Sequence, residues 1–448
     1  MNKILSKLFD DEKTIQINSF DSFICKFLLL LVIIFPFSLI SGPFIPDLTI
    51  FLSVFFFSYL CFKQNLIIYF NNFIVKILLL FWLYLIFSSL ISDDILFSLK
   101  SSFFYVRFII FSAFICFLID KFPNFKKYFL LSFVLAFSFV IIDSIYQFFN
   151  NVSLFGYPRP GLRLTGPFEN RQIVGSYLSR FLPLLMFLFF TSNLKINYKL
   201  NFYLIIFIIF SVITVLISGE RTSLFLITFF LFSYIFLNLK LKHFFLILLI
   251  FLSSITIVVS QNKDLKKRFI EQTMQGLALK IYTNRDSEKK YFDEKPKRGF
   301  YIYSRAHEVH YTTAFKMFLE NKIFGVGPNM FRVKCSDSKY FIEQSSCTTH
   351  PHNFTIQILA ETGSIGLIFY MIIFLLLVYK IIFALYESKF RQNTLNNKKR
   401  NIYILHVCFF INTFMLILPS GNFFNNYLCA SIFLPLGFYL NYLKNKNE

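Results

Sequence analysis

The chain has 448 residues, of which 56% are hydrophobic and 21% aromatic, and its formal net charge is +21. A water-soluble protein cannot bury that much apolar side-chain surface, so the composition excludes a soluble enzyme or binding module. Inside a membrane the backbone must satisfy its own hydrogen bonds, as it does in a helix. The sequence therefore predicts an all-α, polytopic membrane protein.

About 12 transmembrane helices are predicted, because each needs about 20 mostly apolar residues to cross the hydrocarbon core. The apolar segments lie near residues 23–41, 44–62, 73–91, 102–119, 128–149, 173–191, 200–217, 222–239, 243–260, 354–380, 402–418 and 424–443. Nine helices thus fall within residues 1–261 and three within 353–448. Between them lies a hydrophilic loop domain, residues 262–352.

The basic residues predict the orientation of these helices. Lysine and arginine mark every second short connection and both termini, whereas the connections at 41–47, 92–98 and 419–422 carry almost none. Short connections rich in Lys and Arg remain in the cytoplasm, so both termini are predicted to be cytoplasmic and the loop domain to lie on the other side. The polar first 20 residues precede no small-residue cleavage site, so no removable signal peptide is predicted.

The loop domain contains 17 Lys and Arg residues against 10 Asp and Glu residues. This excess either reflects a lysine-rich composition or forms a surface for an anionic lipid or pyrophosphate headgroup. Nucleic acid is not an expected partner on that side of a membrane. Cys335 and Cys347 are the only cysteines of the domain; they are predicted either to form a disulfide in an oxidising compartment or to remain two thiols.

Charged residues inside predicted helices need a partner or a ligand. Arg107 in the fourth helix is one of them. Asp143 in the fifth helix and Arg180 in the sixth are predicted either to pair with each other or to contact a substrate. The irregular connection between these two helices, 150–172, places three cations just above the bilayer: Arg159, Arg163 and Arg171.

The seventh and eighth predicted helices are joined by Ser218-Gly219-Glu220-Arg221. Arg221 begins the eighth helix, where free N–H groups and the positive end of the helix already favour an anion. This placement predicts a phosphate-binding site. The alternative is an arginine that extends to the lipid headgroups.

Within the loop domain, Ser304 is a predicted N-cap for a helix from Arg305 to about residue 321. This helix contains His307-Glu308-Val309-His310, whose histidines are three residues apart. Zinc proteases of this kind need a spacing of four, so no metal site is predicted. The segment Phe324-Gly-Val-Gly-Pro-Asn-Met-Phe331 after the helix predicts a tight turn.

His350-Pro351-His352-Asn353 stands where the loop domain ends and the tenth predicted helix begins. The positive end of that helix favours a neutral imidazole at His352, which can accept a proton. Gly363 and Gly366 lie too far along the helix to contact His352 and predict close helix packing. Asn353 can also cap the helix and starts a polar stripe that should face the bundle interior: Asn353, Gln357, Glu361 and Ser364.

Three motifs together resemble the bacterial O-antigen ligase family, which is related to the O-antigen and exopolysaccharide polymerases. The most specific is His352-Asn353 followed by nine residues, Gly363, two residues and Gly366. The others are Ser-Gly-x-Arg at 218–221, and Ser304-Arg305 ahead of the turn that begins at Phe324. The resemblance covers about residues 160–385, and Glu220, His307 and His310 depart from the family pattern.

The resemblance implies a metal-independent glycosyltransferase that needs no cofactor. Its donor would be a glycan on undecaprenyl diphosphate, and its acceptor the lipid A core at the periplasmic face of the inner membrane, among membrane lipids. Arg221 and Arg305 would bind the diphosphate and His352 would activate the acceptor. Further predicted substrate-binding residues are Arg163, Arg171, Arg107, Asn353 and Glu361. The alternatives are a polymerase or a protein O-oligosaccharyltransferase of the same superfamily, and, from another class, a transporter.

Overall fold

A computed structural model describes residues 19–192, 194–195, 197–277, 301, 303–390, 397–413, 416 and 418–447. The main helices are α1 Ser19–Ser38, α2 Phe44–Gln64, α3 Phe73–Leu90, α4 Ile95–Phe103, α5 Val106–Lys121, α6 Phe125–Asn150, α7 Val174–Thr191, α8 Tyr198–Ile217, α9 Arg221–Asn238, α10 Leu241–Gln261, α11 Arg305–Glu320, α12 Phe354–Phe390, α13 Asn397–Thr413 and α14 Asn426–Asn447. Shorter helical pieces are Leu66–Phe70, Lys263–Lys266, Lys267–Glu271, Gln272–Gly276, Phe331–Lys334 and Gln344–Ser346.

The prediction of an all-α polytopic membrane protein is confirmed. Every predicted span coincides with a helix, the fourth with α4 and α5 together. Ten helices within the described ranges are long and apolar enough to cross a membrane. The remaining predicted spans coincide with α13, which has 17 residues, and with α14. The basic N-terminal segment used to predict orientation lies outside the described residues.

Contacts between connections show that the helix ends form two separate groups. The connections predicted to lie on the far side meet one another at what we call the loop end: Lys334 pairs with Asp93, Leu164 N–H donates to Ser218, and Ser420 N–H donates to His352. At the opposite end Lys63 pairs with Asp21 and Lys444 with Asp120. The connections therefore alternate between the two ends of the bundle, as the sequence predicts. The contacts do not depend on which compartment each end faces.

Helix α7 lies at the centre of the bundle, with 83% of its span buried, whereas only 6% of α10 and 11% of α12 are buried. Phenylalanine fills the space between the interior helices. Phe433 of α14 stacks on Phe108 of α5, and Phe438 stacks on Phe125 of α6, with ring centroids 5.8 and 6.0 Å apart. These large rings supply the close packing that holds apolar helices together in lipid, where the hydrophobic effect contributes little.

Candidate functional site

The connection 150–172 is held at the loop end by polar groups from inside α6. The Gln147 side chain accepts from Thr165 N–H and Gly166 N–H and donates to Tyr157 and Thr165, and Asp143 accepts from Leu154 N–H. The predicted alternative of an Asp143–Arg180 ion pair is therefore wrong. Arg180 instead donates to Ser176 Oγ and to Asn412 at 3.2 Å, because the Asp143 carboxylate is turned toward the connection.

Arg163 of this connection lies near two further arginines, and we call Arg163, Arg221 and Arg268 the arginine cluster. Arg163 and Arg268 flank Gly219, where an added Cβ would lie 3.4 and 3.5 Å from their Cγ atoms. Gly219 has φ of +72°, which an L side chain rarely adopts. Burial, followed by the positive charges of Arg221 and Arg163, lowers the pKa of Arg268 to about 10. Sequence reasoning missed Arg268, which lies in a lysine-rich run without a motif.

Each arginine of the cluster is fixed by neutral hydrogen-bond acceptors. Arg221 donates to Thr273 Oγ1 at 2.8 Å, Arg163 to the Gln172 carbonyl at 2.9 Å, and Arg268 to the Gly219 carbonyl at 2.9 Å. These acceptors carry no charge, and among the described residues Glu220 is the one carboxylate whose charge acts on Arg268, so three guanidinium charges face one carboxylate. The cluster therefore suits a ligand with several negative charges.

Glu220 is a carboxylate beside this cluster, and its contacts account for a residue that departs from the family pattern. It accepts from Gly175 N–H at 2.7 Å, Ser176 N–H at 3.0 Å and Ser223 Oγ at 2.9 Å. It thereby caps the N terminus of α7, which a carboxylate stabilises. Burial raises its pKa, although the charge of Arg163 and these hydrogen bonds act in the opposite direction.

The loop domain contributes Arg305 through the first turn of α11. Ser304 caps this helix at the predicted position and accepts from His307 N–H. Arg305 pairs with Glu343 at 2.6 Å. Against the effect of burial, hydrogen bonds from Ser345 and Arg305 lower the pKa of Glu343. Glu343 lies between Cys335 and Cys347, which the structure joins by a disulfide with Cα atoms 5.1 Å apart.

Four imidazoles meet beside α11, and we call His307, His310, His350 and His352 the histidine cluster. The His352 ring centroid lies 4.2, 5.3 and 5.7 Å from those of His350, His310 and His307. Burial lowers the pKa of His352, and burial with the nearby His352 lowers the pKa of His307 and His310 to about 4 and of His350 to about 3. The rings are therefore neutral at neutral pH. Within the described ranges no three His, Cys, Asp or Glu side chains are arranged to share a metal ion.

Asn353 holds the histidine segment in place. Its Oδ1 accepts from Ile356 N–H and its Nδ2 donates to the Leu416 carbonyl at 2.8 Å, and it is buried. His352 has φ of 58° and accepts from Ser420 N–H. Asn353, proposed from sequence as substrate-binding, thus caps α12 and ties the segment to the residues before α14.

The predicted polar stripe ends at Glu361, because Gly363 interrupts α12. Gly363 has φ of 64°, and an added Cβ would lie 2.3 Å from the Ile323 carbonyl oxygen. Gly363 therefore packs against the predicted tight turn rather than against another helix. Ser364 lies beyond the break and donates to the Lys322 carbonyl. Glu361 is fully buried and accepts from Asn329 N–H and Phe331 N–H, so its contacts hold the same turn.

The remaining predicted site residues lie around α14. Arg107 donates to Asp47 and to Asn426 Oδ1, both at 2.9 Å. Arg171 lies near the end of the connection 150–172, where it approaches Gly42 and its charge acts on Tyr427 of α14. Arg107 therefore has protein partners, as expected for a charge inside the bundle, and fixes the start of α14.

A cleft of about 670 Å³ opens between the arginine and histidine clusters. Arg163 and His350 lie in its wall, and so do residues that sequence reasoning did not select, among them Arg332, Thr222, Phe424, Asn425, Asn426 and Tyr427. Its size is within the range of about 300–1,000 Å³ usual for small-molecule sites. Arg332 and Asn425 could not be selected from the sequence, because they are far apart along the chain and neither belongs to a local motif.

Fold and site together define a polytopic membrane protein with a cationic cluster beside neutral imidazoles at one end of its helices. Residues 206–371 match the family model described as O-Antigen ligase. Residues 206–371 therefore carry an O-antigen ligase domain, as the sequence motifs predicted, and this match supports a membrane enzyme of the O-antigen ligase and polymerase superfamily. The match includes Arg221, Arg268, Arg305 and His352. A search of curated proteins gave no match.

Proposed function

We propose that the chain is a ligase of the O-antigen type, which transfers a glycan from undecaprenyl diphosphate to a sugar hydroxyl of the lipid A core. The observation that carries this proposal is the juxtaposition of the arginine cluster and the histidine cluster at one end of the bundle. Arg221 connects the two, because its charge acts on His307, whose ring lies 5.7 Å from that of His352.

The reaction forms a bond between the acceptor oxygen and C1 of the donor sugar and breaks the bond between C1 and the phosphate oxygen. The bonding electrons leave with the diphosphate, whose negative charge the arginine cluster and Arg305 balance. His352 takes the proton of the acceptor hydroxyl, for which a neutral imidazole is required. A positioned general base contributes roughly 10² to 10⁴ in rate, and fixed cationic donors stabilise the charge that develops on the leaving group.

The same proposal assigns the protein to the bacterial inner membrane, with both termini in the cytoplasm and the loop end in the periplasm. The disulfide between Cys335 and Cys347 supports this orientation, because disulfides persist in the oxidising periplasm and are rare in the cytoplasm. The donor and the acceptor then both approach the loop end from the outer leaflet.

The test is glycan transfer by the purified full chain, given a lipid-linked glycan with and without lipid A core. A ligase produces glycan-capped core only when core is present. Elongation of the lipid-linked glycan without core would instead assign the protein as a polymerase, which shares this domain. Neither product, from protein that remains folded, would overturn both the ligase and the polymerase and leave the protein O-oligosaccharyltransferase and the transporter as alternatives.

A further inference from the structure

The cleft presents hydrogen-bond donors for which the described residues supply no acceptor. Asn425 is exposed, and its Oδ1 accepts from Tyr427 N–H and Leu428 N–H, at 3.0 and 3.2 Å, as the N-cap of α14. Its Nδ2 has no acceptor among the described residues. Asn426 likewise accepts from Arg107 through Oδ1, and its Nδ2 finds no acceptor in the part of the chain that the structure describes.

Arg332 adds a charged hydrogen-bond donor to the same cleft wall. It is exposed, and within the described ranges its guanidinium has no ion pair or hydrogen bond. It lies near His350, because its charge contributes to lowering the pKa of that histidine after burial and His352. Arg305 pairs with Glu343 and Arg221 donates to Thr273, whereas the guanidinium of Arg332 faces an open cleft.

A carbohydrate next to a phosphate fits this combination. Sugar hydroxyls both donate and accept, so they suit neutral amides and hydroxyls such as Asn425, Asn426 and Thr222, while a phosphate suits a guanidinium. The aromatic rings of Phe424 and Tyr427 give the same wall an apolar surface. A lipid tail would need the opposite composition, because unpaired amides in contact with hydrocarbon are costly.

The cleft lies between the two clusters, and this position determines how a ligand would be oriented in it. Arg163 of the arginine cluster forms one wall, and His350, whose ring centroid is 4.2 Å from that of His352, forms another. A sugar in the cleft therefore lies between the groups proposed to bind the diphosphate and the group proposed to accept the proton.

We propose that this cleft is the carbohydrate subsite for the lipid-linked donor, in which Asn425 and Asn426 donate to sugar hydroxyls and Arg332 donates to the phosphate nearest the sugar. The inference rests on the proposed function, since it assumes a glycan attached to a lipid diphosphate. It adds the place of the sugar and the two asparagines that distinguish a glycan-bearing lipid from the bare lipid diphosphate.

The test measures binding to the full chain in lipid nanodiscs with two probes, undecaprenyl diphosphate and the lipid-linked glycan extracted from the cells that make this protein. Asn425→Ser should weaken binding of the glycan-bearing lipid by about three- to tenfold, as expected for one lost hydrogen bond. Binding of the bare lipid should be unchanged. Arg332→Ala should weaken binding of both probes, because both carry the phosphates.

The controls separate a binding effect from a folding effect. Serine is as good an N-cap as asparagine, so Asn425→Ser should retain the wild-type melting temperature. Asn150→Ser makes the same change at an exposed residue of the loop end that does not line the cleft and should leave both affinities unchanged.

Equal affinity of wild type and Asn425→Ser for the glycan-bearing lipid would overturn the subsite while leaving the proposed function intact. Loss of affinity for both probes in Asn425→Ser would also overturn it, because a sugar contact cannot affect the bare lipid. Failure of the wild-type chain to bind either probe would overturn the subsite and the proposed function together.

Discussion

The arginine and histidine clusters lie at the same end of the bundle and lose water to a similar degree, yet burial has opposite consequences for their charge. Burial and neighbouring cations lower the pKa of Arg268 only to about 10, so it remains a cation. The same effect lowers the pKa of His307 and His310 to about 4, so they remain neutral. Desolvation disfavours the charged form of both groups. In one environment arginines therefore stay charged and histidines stay neutral, as the proposed anion-binding and proton-accepting roles require.

The largest effect is expected from removing His352, the proposed proton acceptor of the histidine cluster. His352→Ala should decrease the transfer rate by about 10² to 10⁴, the contribution of a positioned general base. Binding of the lipid-linked donor should change less than twofold, because the proposed contacts to the diphosphate come from the arginines. The measurement is the single-turnover rate of transfer to lipid A core, together with the Kd for the donor.

His243→Ala is the matched control, because His243 is exposed and starts α10 at the opposite end of the bundle. It should transfer glycan at the wild-type rate. A His352→Ala protein that is folded and fully active would remove the histidine cluster from the chemistry.

Arg268→Ala tests the role proposed for the arginine cluster, which is binding of the donor diphosphate. We expect donor binding to weaken by about tenfold or more, because charge-assisted hydrogen bonds to phosphate contribute roughly 1.5–3 kcal/mol. Donor Kd measured at low and high salt should also show a weaker salt dependence than in the wild type. Arg221 and Arg163 remain, so binding should not be abolished.

Lys267→Ala removes the neighbouring positive charge, which is exposed to solvent, and should leave donor affinity within about twofold of the wild type. Equal effects of the two substitutions would mean that general positive charge, rather than the arginine cluster, attracts the donor.

The disulfide loop connects the two regions through Arg305. Replacing both Cys335 and Cys347 by serine should release Glu343 and decrease transfer by about three- to tenfold, because Arg305 loses the carboxylate that orients it. The same double substitution introduced into Arg305→Ala should cost little more, since residues in one network do not have additive effects. Additive losses in the combined variant would show that the disulfide acts independently of Arg305.

The sequence predicted the fold well, because hydrophobic segments separated by charged connections determine where helices begin and end in a membrane. It also selected Arg221, Arg305 and His352, which belong to local motifs. It could not show that Arg305 pairs with Glu343, which lies 38 residues away, because that contact depends on how the loop domain folds.

The departures from the family pattern were seen in the sequence but could not be interpreted there. Glu220 proves to cap α7, and His307 and His310 prove to contact His352. Arg268, Arg332 and Asn425 had no recognisable motif, since each acquires its environment from elements distant along the chain. Pairwise contacts of this kind follow from tertiary packing rather than from local spacing.

The smallest expected change concerns pH and tests whether the charges of the arginine cluster affect the pKa of His352. A general base acts in its neutral form, and burial lowers the pKa of His352 below its ordinary value near 6.5. The ratio kcat/KM, which reports the free enzyme, should therefore vary less than about twofold between pH 8 and 6.5 and fall about tenfold per unit only below the pKa of His352. Burial alone causes this shift, so Arg268→Ala should lower kcat/KM without moving the midpoint. A midpoint above pH 7 in the wild type would contradict a neutral histidine cluster, and a midpoint that moves in Arg268→Ala would mean that the cations, rather than burial, keep His352 deprotonated.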